Sequence, residues 1–552
     1  MKKNLSSSKW IFKKVRPYIP NLIIMILTGV SISYLGVRFA LMSKNLIDIA
    51  TKQAEGSVKT AILQLMIMLA IQLVLQIIHV RIHIKTSGKI SMDIRTDMFY
   101  KLLKKDFAKV SSIHSGEILN TLISDISMVA EKTTQLIPSV FTLVSSILFS
   151  FLALYSLDST FALICLGLGP VALLVAYIYK KKIKSLHKKC RESDGKVRAF
   201  LQETIQNFLV VKAFGRENTM RARSRDLQYI SYNLTVKRST LSIFANIMFF
   251  LAITVVYYGA LAWSVYRLSL GLITFGTVTA VLGLVGQLQT PFRDLSSILP
   301  QVYMTLASAD RVIELENLDD EEPVHLDENI DLNNFSEIVF EDVNFSYGDV
   351  EVLRNVSFSV KKGEFVALCG NSGAGKSTMT KLLLSVLKAQ SGEVYLKLDD
   401  ENKIKFGAET RKMFSYVPQG NMILSGTIRD NITFADENPD EEKVLWASEA
   451  AQIKETVENM PNGFDTKLGE KGIGLSEGQI QRIAIARALY YDAPVLLFDE
   501  ATSSLDIHTE AELLKSIKEL TDKTCIIISH RKEVISACDK TYYLQEGTLN
   551  NL

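Results

Sequence analysis

The sequence predicts a membrane α-helical bundle of six transmembrane helices followed by an α/β domain built on a phosphate-binding loop. Three observations carry this. The first 300 residues hold six long windows without a charged residue. Near residue 315 the composition turns from apolar to acidic and polar. Further on, a Gly-rich loop ending in Gly-Lys-Ser stands between an apolar, strand-like run and a helix-like one.

The chain has 552 residues, 48% of them hydrophobic and 22% charged. Ordinary domains run to ~100–200 residues, so at least two are expected. The composition is apolar for a soluble protein yet too charged for a chain lying wholly in lipid, which calls for a membrane part and a soluble part. High apolar content with a net charge of +3 excludes a disordered chain and gives no reason to expect a nucleic-acid partner. The cysteines (165, 190, 369, 525 and 538) are scattered, with no C-x-x-C pair. That excludes a disulfide scaffold and a structural zinc site.

The charge-free windows lie between Arg16 and Arg38, Lys59 and Arg81, Lys132 and Asp158, Asp158 and Lys180, Arg238 and Arg267, and Arg267 and Arg293. Each can cross a ~30 Å hydrocarbon core, which takes about 20 helical residues. The first is too long for the apolar part of a cleaved signal peptide and has no A-x-A site. Lysines crowd the N-terminus and the segments after the second and fourth windows, Lys180, Lys181, Lys182 and Lys184 among them. The opposite connections are short and carry few positive charges. By the positive-inside rule, the basic side and both termini face the cytoplasm. The two long basic segments have helical periodicity, so the membrane helices are expected to continue into the cytosol. Arg38, Gln64, Gln72, Gln76, Tyr257, Tyr258, Gln287 and Gln289 are the polar candidates for lining a cavity or joining helices.

These patterns divide the chain into residues 1–315, a six-helix transmembrane domain with long cytoplasmic loops, an acidic linker at 316–335, and a second domain at 336–552. Beyond the linker, strand-like runs (EIVFEDVNF, EFVALCG, APVLLFDE, TCIIISH) alternate with helical ones, as in a largely parallel α/β sheet.

Gly370, Asn371, Ser372, Gly373, Ala374, Gly375, Lys376, Ser377 and Thr378 match G-x-x-x-x-G-K-[ST] and lie between a strand and a helix. Glycines let backbone N–H groups turn toward phosphate oxygens at the helix N-terminus. Lys376 can reach the β- and γ-phosphates, and the Ser377 hydroxyl can ligate Mg²⁺. Asp499 and Glu500 end the apolar run Val495–Phe498, where Asp499 can hold the metal shell and Glu500 can orient or polarise an attacking water.

With these residues in place, the chain resembles the ATP-binding cassette (ABC) ATPases. Leu475-Ser476-Glu477-Gly478-Gln479 resembles their signature motif, and Tyr347 the aromatic that stacks on adenine. Gln419 resembles the Q-loop glutamine, which also touches the metal, Asp506 belongs to a D-loop-like Ser503-Ser504-Leu505-Asp506, and His530 resembles the switch histidine. Glu477 departs from the glycine commonest at its position, while Ser476 and Gly478 are kept. In the membrane half, His114–Ile118 with Asp125, and Glu203 with Val211–Phe214, resemble the intracellular loops of exporters. Leu468-Gly469-Glu470 resembles the exporter X-loop.

The resemblance implies an exporter-type half-transporter that binds ATP and Mg²⁺, with the P-loop of one copy facing the signature of another. The partner is then a second copy of the chain or a homologous half-transporter. The implied activity is ATP-driven export of an amphipathic small molecule or peptide by alternating access. The alternatives are a lipid or lipid-linked flippase, one half of a heterodimer, and, further off, an ATP-gated channel or sensor. The implied place is a cell membrane of the bacterial cytoplasmic type, in contact with its lipids, with the ATPase domain in the cytoplasm.

Overall fold

The computed structural model describes residues 2–322, 332–371, 373–398, 402–420, 423–434, 436–469, 474–520 and 522–551. Side chains are described for these except 2–5, 164–184, 245, 246, 249, 252, 253, 290, 292–297, 299 and 551. Ser372, Glu470 and the linker stretch 323–331 therefore lie outside the described residues. The chain divides into two units, residues 1–102 with 115–317 and residues 103–114 with 318–552.

The helices before the linker are α1 (Lys2–Val15), α2 (Ile19–Ala50), α3 (Val58–Leu102), α4 (Phe107–Ser111), α5 (Ser115–Asn120), α6 (Ile126–Leu157), α7 (Ser159–Gln206), α8 (Phe208–Ala213), α9 (Glu217–Ser269) and α10 (Phe275–Glu316). All but α4 belong to the first unit. Pro20 sits in the first turn of α2, where its missing N–H costs no helical bond. Helix α3 has 45 residues, which at 1.5 Å per residue is about 68 Å. That is more than twice the ~30 Å hydrocarbon core, so the basic segments are continuations of the spans, as their periodicity predicts. Among the described residues, Ser6–Ala50, Val58–Leu102 and Ser115–Leu157 are long and apolar enough to cross a membrane, and Phe275–Gln289 is a shorter apolar stretch.

Small residues let these helices approach closely. A Cβ on Gly29 of α2 would lie 2.2 Å from Thr142 Oγ1 of α6. Val37, Leu154, Phe161, Ala260 and Leu284 bring α2, α6, α7, α9 and α10 into one apolar core. Polar knots fix the helix ends. Asp158 accepts from the Phe161 N–H at 3.1 Å and from Trp263 Nε1 at 3.0 Å, tying the start of α7 to α9. A π-turn at Thr121–Asp125 joins α5 to α6, and its buried Asp125 is held by Ser308 and Arg311 of α10. At the end of α10, Glu316 accepts from Trp10 Nε1 at 2.5 Å and from Lys101 Nζ at 2.6 Å, which gathers α1, α3 and α10.

The second unit has strands β1 (Phe335–Tyr347), β2 (Val350–Lys361), β3 (Phe365–Gly370), β4 (Ser391–Leu398), β5 (Lys403–Lys405), β6 (Phe414–Val417), β7 (Gly426–Thr427), β8 (Lys467–Leu468), β9 (Val495–Asp499), β10 (Thr524–Ile528), β11 (Lys540–Gln545) and β12 (Thr548–Asn551). Its helices are α11 (Lys376–Leu383), α12 (Ile428–Thr433), α13 (Glu441–Ala450), α14 (Lys454–Glu458), α15 (Glu477–Tyr491), α16 (Ile507–Lys518) and α17 (Lys532–Ala537). One sheet is antiparallel, in the order β2-β1-β4-β5. The central sheet runs β12-β11-β3-β10-β9-β6, with every pair parallel except β11–β12.

The central strands are buried on both faces, which explains why they read as unbroken apolar runs. Their side chains alternate between two cores. Val366, Leu368, Leu497, Ile526 and Ile528 face α11 and the antiparallel sheet. Phe365, Leu496, Phe498, Cys525 and Ile527 face α15 and α16. The acids after α10 are engaged within this unit: Lys105 pairs with Asp320 at 2.7 Å, Arg411 with Glu321, and Lys388 with Glu322.

Gly392 has φ +77°, and a Cβ there would lie 2.3 Å from the Asp342 carbonyl oxygen. Gly392→Ala is expected to destabilise the second unit by about 1–3 kcal/mol. Thermal unfolding should show a midpoint several degrees lower, while Gly88→Ala, in open space on α3, should not lower it.

Candidate functional site

The loop between β3 and α11 is shaped by contacts that only glycine tolerates. Gly370 has φ +149°, and a Cβ there would lie 2.3 Å from the Leu544 carbonyl oxygen of β11. Gly375 has φ +111° and a Cβ would meet Leu353 at 2.9 Å. The loop therefore lies tight against its neighbours with its backbone turned toward the N-terminus of α11, where the first N–H groups have no helical partner. Lys376 is buried, and its Nζ donates to the carbonyls of Gly370 at 2.7 Å and Asn371 at 3.0 Å. Burial lowers the Lys376 pKa, and the charges of Glu500 and Asp499 oppose that shift. The Tyr543 hydroxyl donates to Asn371 Oδ1 at 3.2 Å and steadies the loop from β11. Ser377 and Thr378 stand in the first turn of α11.

Two carboxylates end β9. Asp499 is buried. Desolvation, and then the neighbouring Glu500 charge, push its pKa up to about 6, against the pull of Lys376 and a hydrogen bond from Tyr416. Glu500 adopts φ +51°, a costly conformation for a residue with a side chain. Its N–H donates to the Ile528 carbonyl of β10 at 3.0 Å, which anchors the turn. The carboxylate is then held on both oxygens. Gln419 Nε2 donates to Oε2 at 2.5 Å, and His530 Nε2 lies 3.3 Å from Oε1. Lys376, Gln419, Asp499, Glu500 and His530 thus form one electrostatic cluster, as the motif order predicts.

The signature residues form a second surface. Ser476 caps α15 in a reciprocal box with Gln479: the Gln479 N–H donates to Ser476 Oγ at 3.3 Å, and the Ser476 N–H to Gln479 Oε1 at 2.8 Å. A Cβ on Gly478 would lie 3.0 Å from the Ser504 carbonyl oxygen, so the signature rests on the loop after β9. Asp506 caps α16 by accepting from the Thr509 N–H at 3.0 Å. Among the described residues, no hydrogen bond or ion pair joins Ser476, Gly478 or Gln479 to the loop at 370–378. Tyr347 stands half-exposed at the end of β1, edge-on to Phe345 at 4.9 Å.

Two positioning residues escape motif reasoning. Gln481 of α15 donates to Ser503 Oγ at 3.1 Å and accepts from the Ser504 N–H at 3.0 Å. Arg531, next to His530, donates to the carbonyls of Leu505 at 2.9 Å and Ser503 at 2.8 Å, and to the buried Glu510 carboxylate at 2.8 Å. The loop Ser503–Asp506 is therefore clamped from the signature helix on one side and from the His530 turn on the other. The one sequence signal is an Arg directly after the histidine.

Comparison with known proteins places this geometry in context. Residues 22–292 match the family model described as ABC transporter transmembrane region, and residues 353–503 the model described as ABC transporter. An ATP-dependent lipid A-core flippase of Desulfotalea psychrophila is 29% identical over 83% of this chain and 80% of that protein. A multidrug resistance ABC transporter ATP-binding and permease protein of Lactococcus lactis is 26% identical over 83% of this chain and 78% of that one. Among solved structures, a bacterial Atm1-family ABC exporter with ATP bound superposes with a TM-score of 0.80 and 25% identity, covering 97% of this chain and 94% of the other.

Arg531→Lys keeps a charge near Glu510 but cannot serve both carbonyls. It is expected to lower ATP turnover roughly tenfold by loosening the loop while leaving nucleotide affinity within about threefold. Steady-state hydrolysis and equilibrium nucleotide binding on the same preparation check this split.

Proposed function

Because the chain belongs to the ABC transporter family, we propose that two copies act together as an ATP-driven exporter of amphipathic cargo. The chain is a multi-pass membrane protein and an ATPase coupled to transport. The observation that carries the catalytic assignment is the Glu500 carboxylate held between Gln419 and His530, beside buried Asp499 and Lys376.

In this reading the loop 370–378 and the N-terminus of α11 bind the triphosphate, with Lys376 leaving its carbonyl partners for the β- and γ-phosphates. Tyr347 stacks on the adenine. Glu500 orients a water for in-line attack and takes up its proton, and His530 fixes the carboxylate and steadies the γ-phosphate. Burial of Asp499 beside Glu500 leaves negative charge that one lysine only partly offsets, a setting that fits a divalent cation. Ser377, Gln419 and Asp499 would hold Mg²⁺, which neutralises charge on the phosphates when bound.

Ser476 is exposed, and among the described residues neither it nor Gly478 bonds to its own phosphate loop, which supports a site completed by the signature of the other copy. Gln479 contributes by holding the cap, and Asp506 by fixing the clamped loop that follows Glu500. Bound ATP draws the two second units together, and hydrolysis lets them part. We assign transport to residues 1–315, the connection to 316–335 and nucleotide chemistry to 336–552. A homologous half-transporter could stand in for the second copy. The complete set of catalytic residues favours self-pairing and favours a cycling pump over a gated channel. The basic cytoplasmic segments support a bacterial cytoplasmic membrane with the ATPase unit inside. The flippase and multidrug names of the relatives both support an amphipathic cargo, lipid or soluble.

Glu500→Gln is expected to reduce hydrolysis by roughly 10²–10⁴-fold while ATP binding stays within about threefold. Turnover close to that of the parent protein would remove Glu500 from its role. Lys376→Ala should weaken ATP binding itself by roughly tenfold or more, because it deletes a charge-assisted contact to phosphate. Calorimetric titration with a non-hydrolysable ATP analogue reads this directly.

A further inference from the structure

We propose that Arg38 is the anion-recognising group of the transport path, so that the cargo carries a phosphate or carboxylate on an amphipathic body. The inference rests on the transport reading above and names the class of its substrate. It comes from three properties of α2.

First, Arg38 lies at hydrocarbon depth. Four residues before it, Tyr34 packs edge-on against Phe149, inside the charge-free window of α6, at a ring distance of 5.7 Å. Two residues before it, the Gly36 carbonyl accepts from Gln287 Nε2 at 2.8 Å, inside the charge-free window of α10. A cation at this depth is costly unless it faces water or an anion.

Second, Arg38 has no hydrogen-bond or ion-pair partner among the described residues. The carboxylates nearest its depth are already engaged. Asp48 is buried, pairs with Lys44 at 3.1 Å and accepts from the Gly276 N–H at 3.0 Å. Asp158 is buried between Arg267 at 3.3 Å and Trp263. On α10, Asp294 stands seven residues beyond Gln287 on the cytoplasmic side, about 10 Å below that contact and further still below Arg38. A second copy of the chain would present the same engaged groups, so the missing anion comes from outside the protein.

Third, the face that carries Arg38 is unlike a lipid-facing surface. The exposed residues of α2 between Ser31 and Asn45 are Ser31, Tyr34, Arg38 and Asn45. At 100° per residue they fall within an arc of about 60°. The exposed face of α3 between Ile62 and Ile78 is instead dominated by Ile, Leu, Met and Val, as lipid contact requires. The outer half of α2 thus presents a polar stripe with a guanidinium at its centre that has no partner among the described residues. A guanidinium suits this task because it stays charged at any working pH and forks onto two oxygens of one phosphate or carboxylate.

The same chemistry can arrive as a lipid headgroup or as a soluble amphipathic acid, and photolabelling separates the two. The full chain is placed in phosphatidylcholine nanodiscs with a diazirine-bearing phosphatidylglycerol, a diazirine-bearing dodecyl phosphate or a diazirine-bearing phosphatidylcholine. Labelled peptides are mapped by mass spectrometry without ATP, so the readout does not depend on hydrolysis. Labelling of residues 31–45 by one or both anionic probes should fall roughly tenfold in Arg38→Gln and persist in Arg38→Lys, with the zwitterionic probe unaffected. Dependence confined to phosphatidylglycerol marks a lipid cargo, and dependence confined to dodecyl phosphate marks a soluble one. Anionic labelling of residues 31–45 that is unchanged in Arg38→Gln, or absent from the parent protein, overturns the proposal, as does equal labelling there by the zwitterionic probe. Arg38-dependent labelling in a protein that hydrolyses no ATP under any condition would uphold the anion site while removing the pump reading.

Discussion

Everything at the nucleotide site depends on four parallel strands ending at one level. In register, Ile528 of β10 pairs with Leu368 of β3 on one side and Asp499 of β9 on the other, and Val417 of β6 pairs with Phe498. One or two residues beyond these pairs stand Gly370, Glu500, His530 and Gln419. Parallel strands point all their carboxyl ends the same way, and a crevice forms beyond them. Residues more than 100 positions apart in the chain are brought into one electrostatic cluster by this register alone. A slip of one residue in β9 would move Asp499 to the other face of the sheet and dissolve it.

The same turn that presents Glu500 also launches the loop carrying Ser503–Asp506, and that loop is not left to its own devices. Arg531 and Gln481 bind its backbone from opposite sides, one from the His530 turn and one from the helix that follows the signature. The His530 turn and the helix that follows the signature are thus joined by a short run of hydrogen bonds. In the proposed shared site the signature serves the partner's nucleotide, and a change at one Glu500–His530 pair then has a structural route to the opposite site. The route is made of main-chain carbonyls and the pairing of a part-exposed Arg531 with the buried Glu510.

Much of this is legible in the sequence. The phosphate loop, the paired acids, the Q-loop glutamine and the switch histidine stand in the sequence because each must follow a buried strand, and buried strands read as apolar runs. The helical nature of the cytoplasmic segments was visible from periodicity. Partnerships set by tertiary packing were not. Nothing in the sequence ties Tyr543 to Asn371, Gln481 to Ser504 or Arg531 to Glu510, because the partners lie 21 to 172 positions apart and use ordinary surface-type side chains. The left-handed turn at Glu500 was equally hidden, since no glycine marks it. In the membrane half, the sequence could name Arg38 and Gln287 as polar residues in apolar helices but could not sort them. Packing does so: Gln287 spends its amide on the Gly36 carbonyl, while Arg38 has no partner among the described residues.

If each catalytic site is shared between two copies, complementation will reveal it. A Lys376→Ala chain and a Ser476→Ala chain carry different affinity tags, and each is purified alone and after co-expression. Alone, every site in either protein carries one defect. In a mixed pair, one site combines both defects and the other is whole. Vanadate-dependent trapping of nucleotide, weak in each variant by itself, should reappear in the doubly tagged mixed pair. Trapping in the mixed pair no greater than the average of the two variants would mean that each chain completes its own site, and the shared-site account would be wrong.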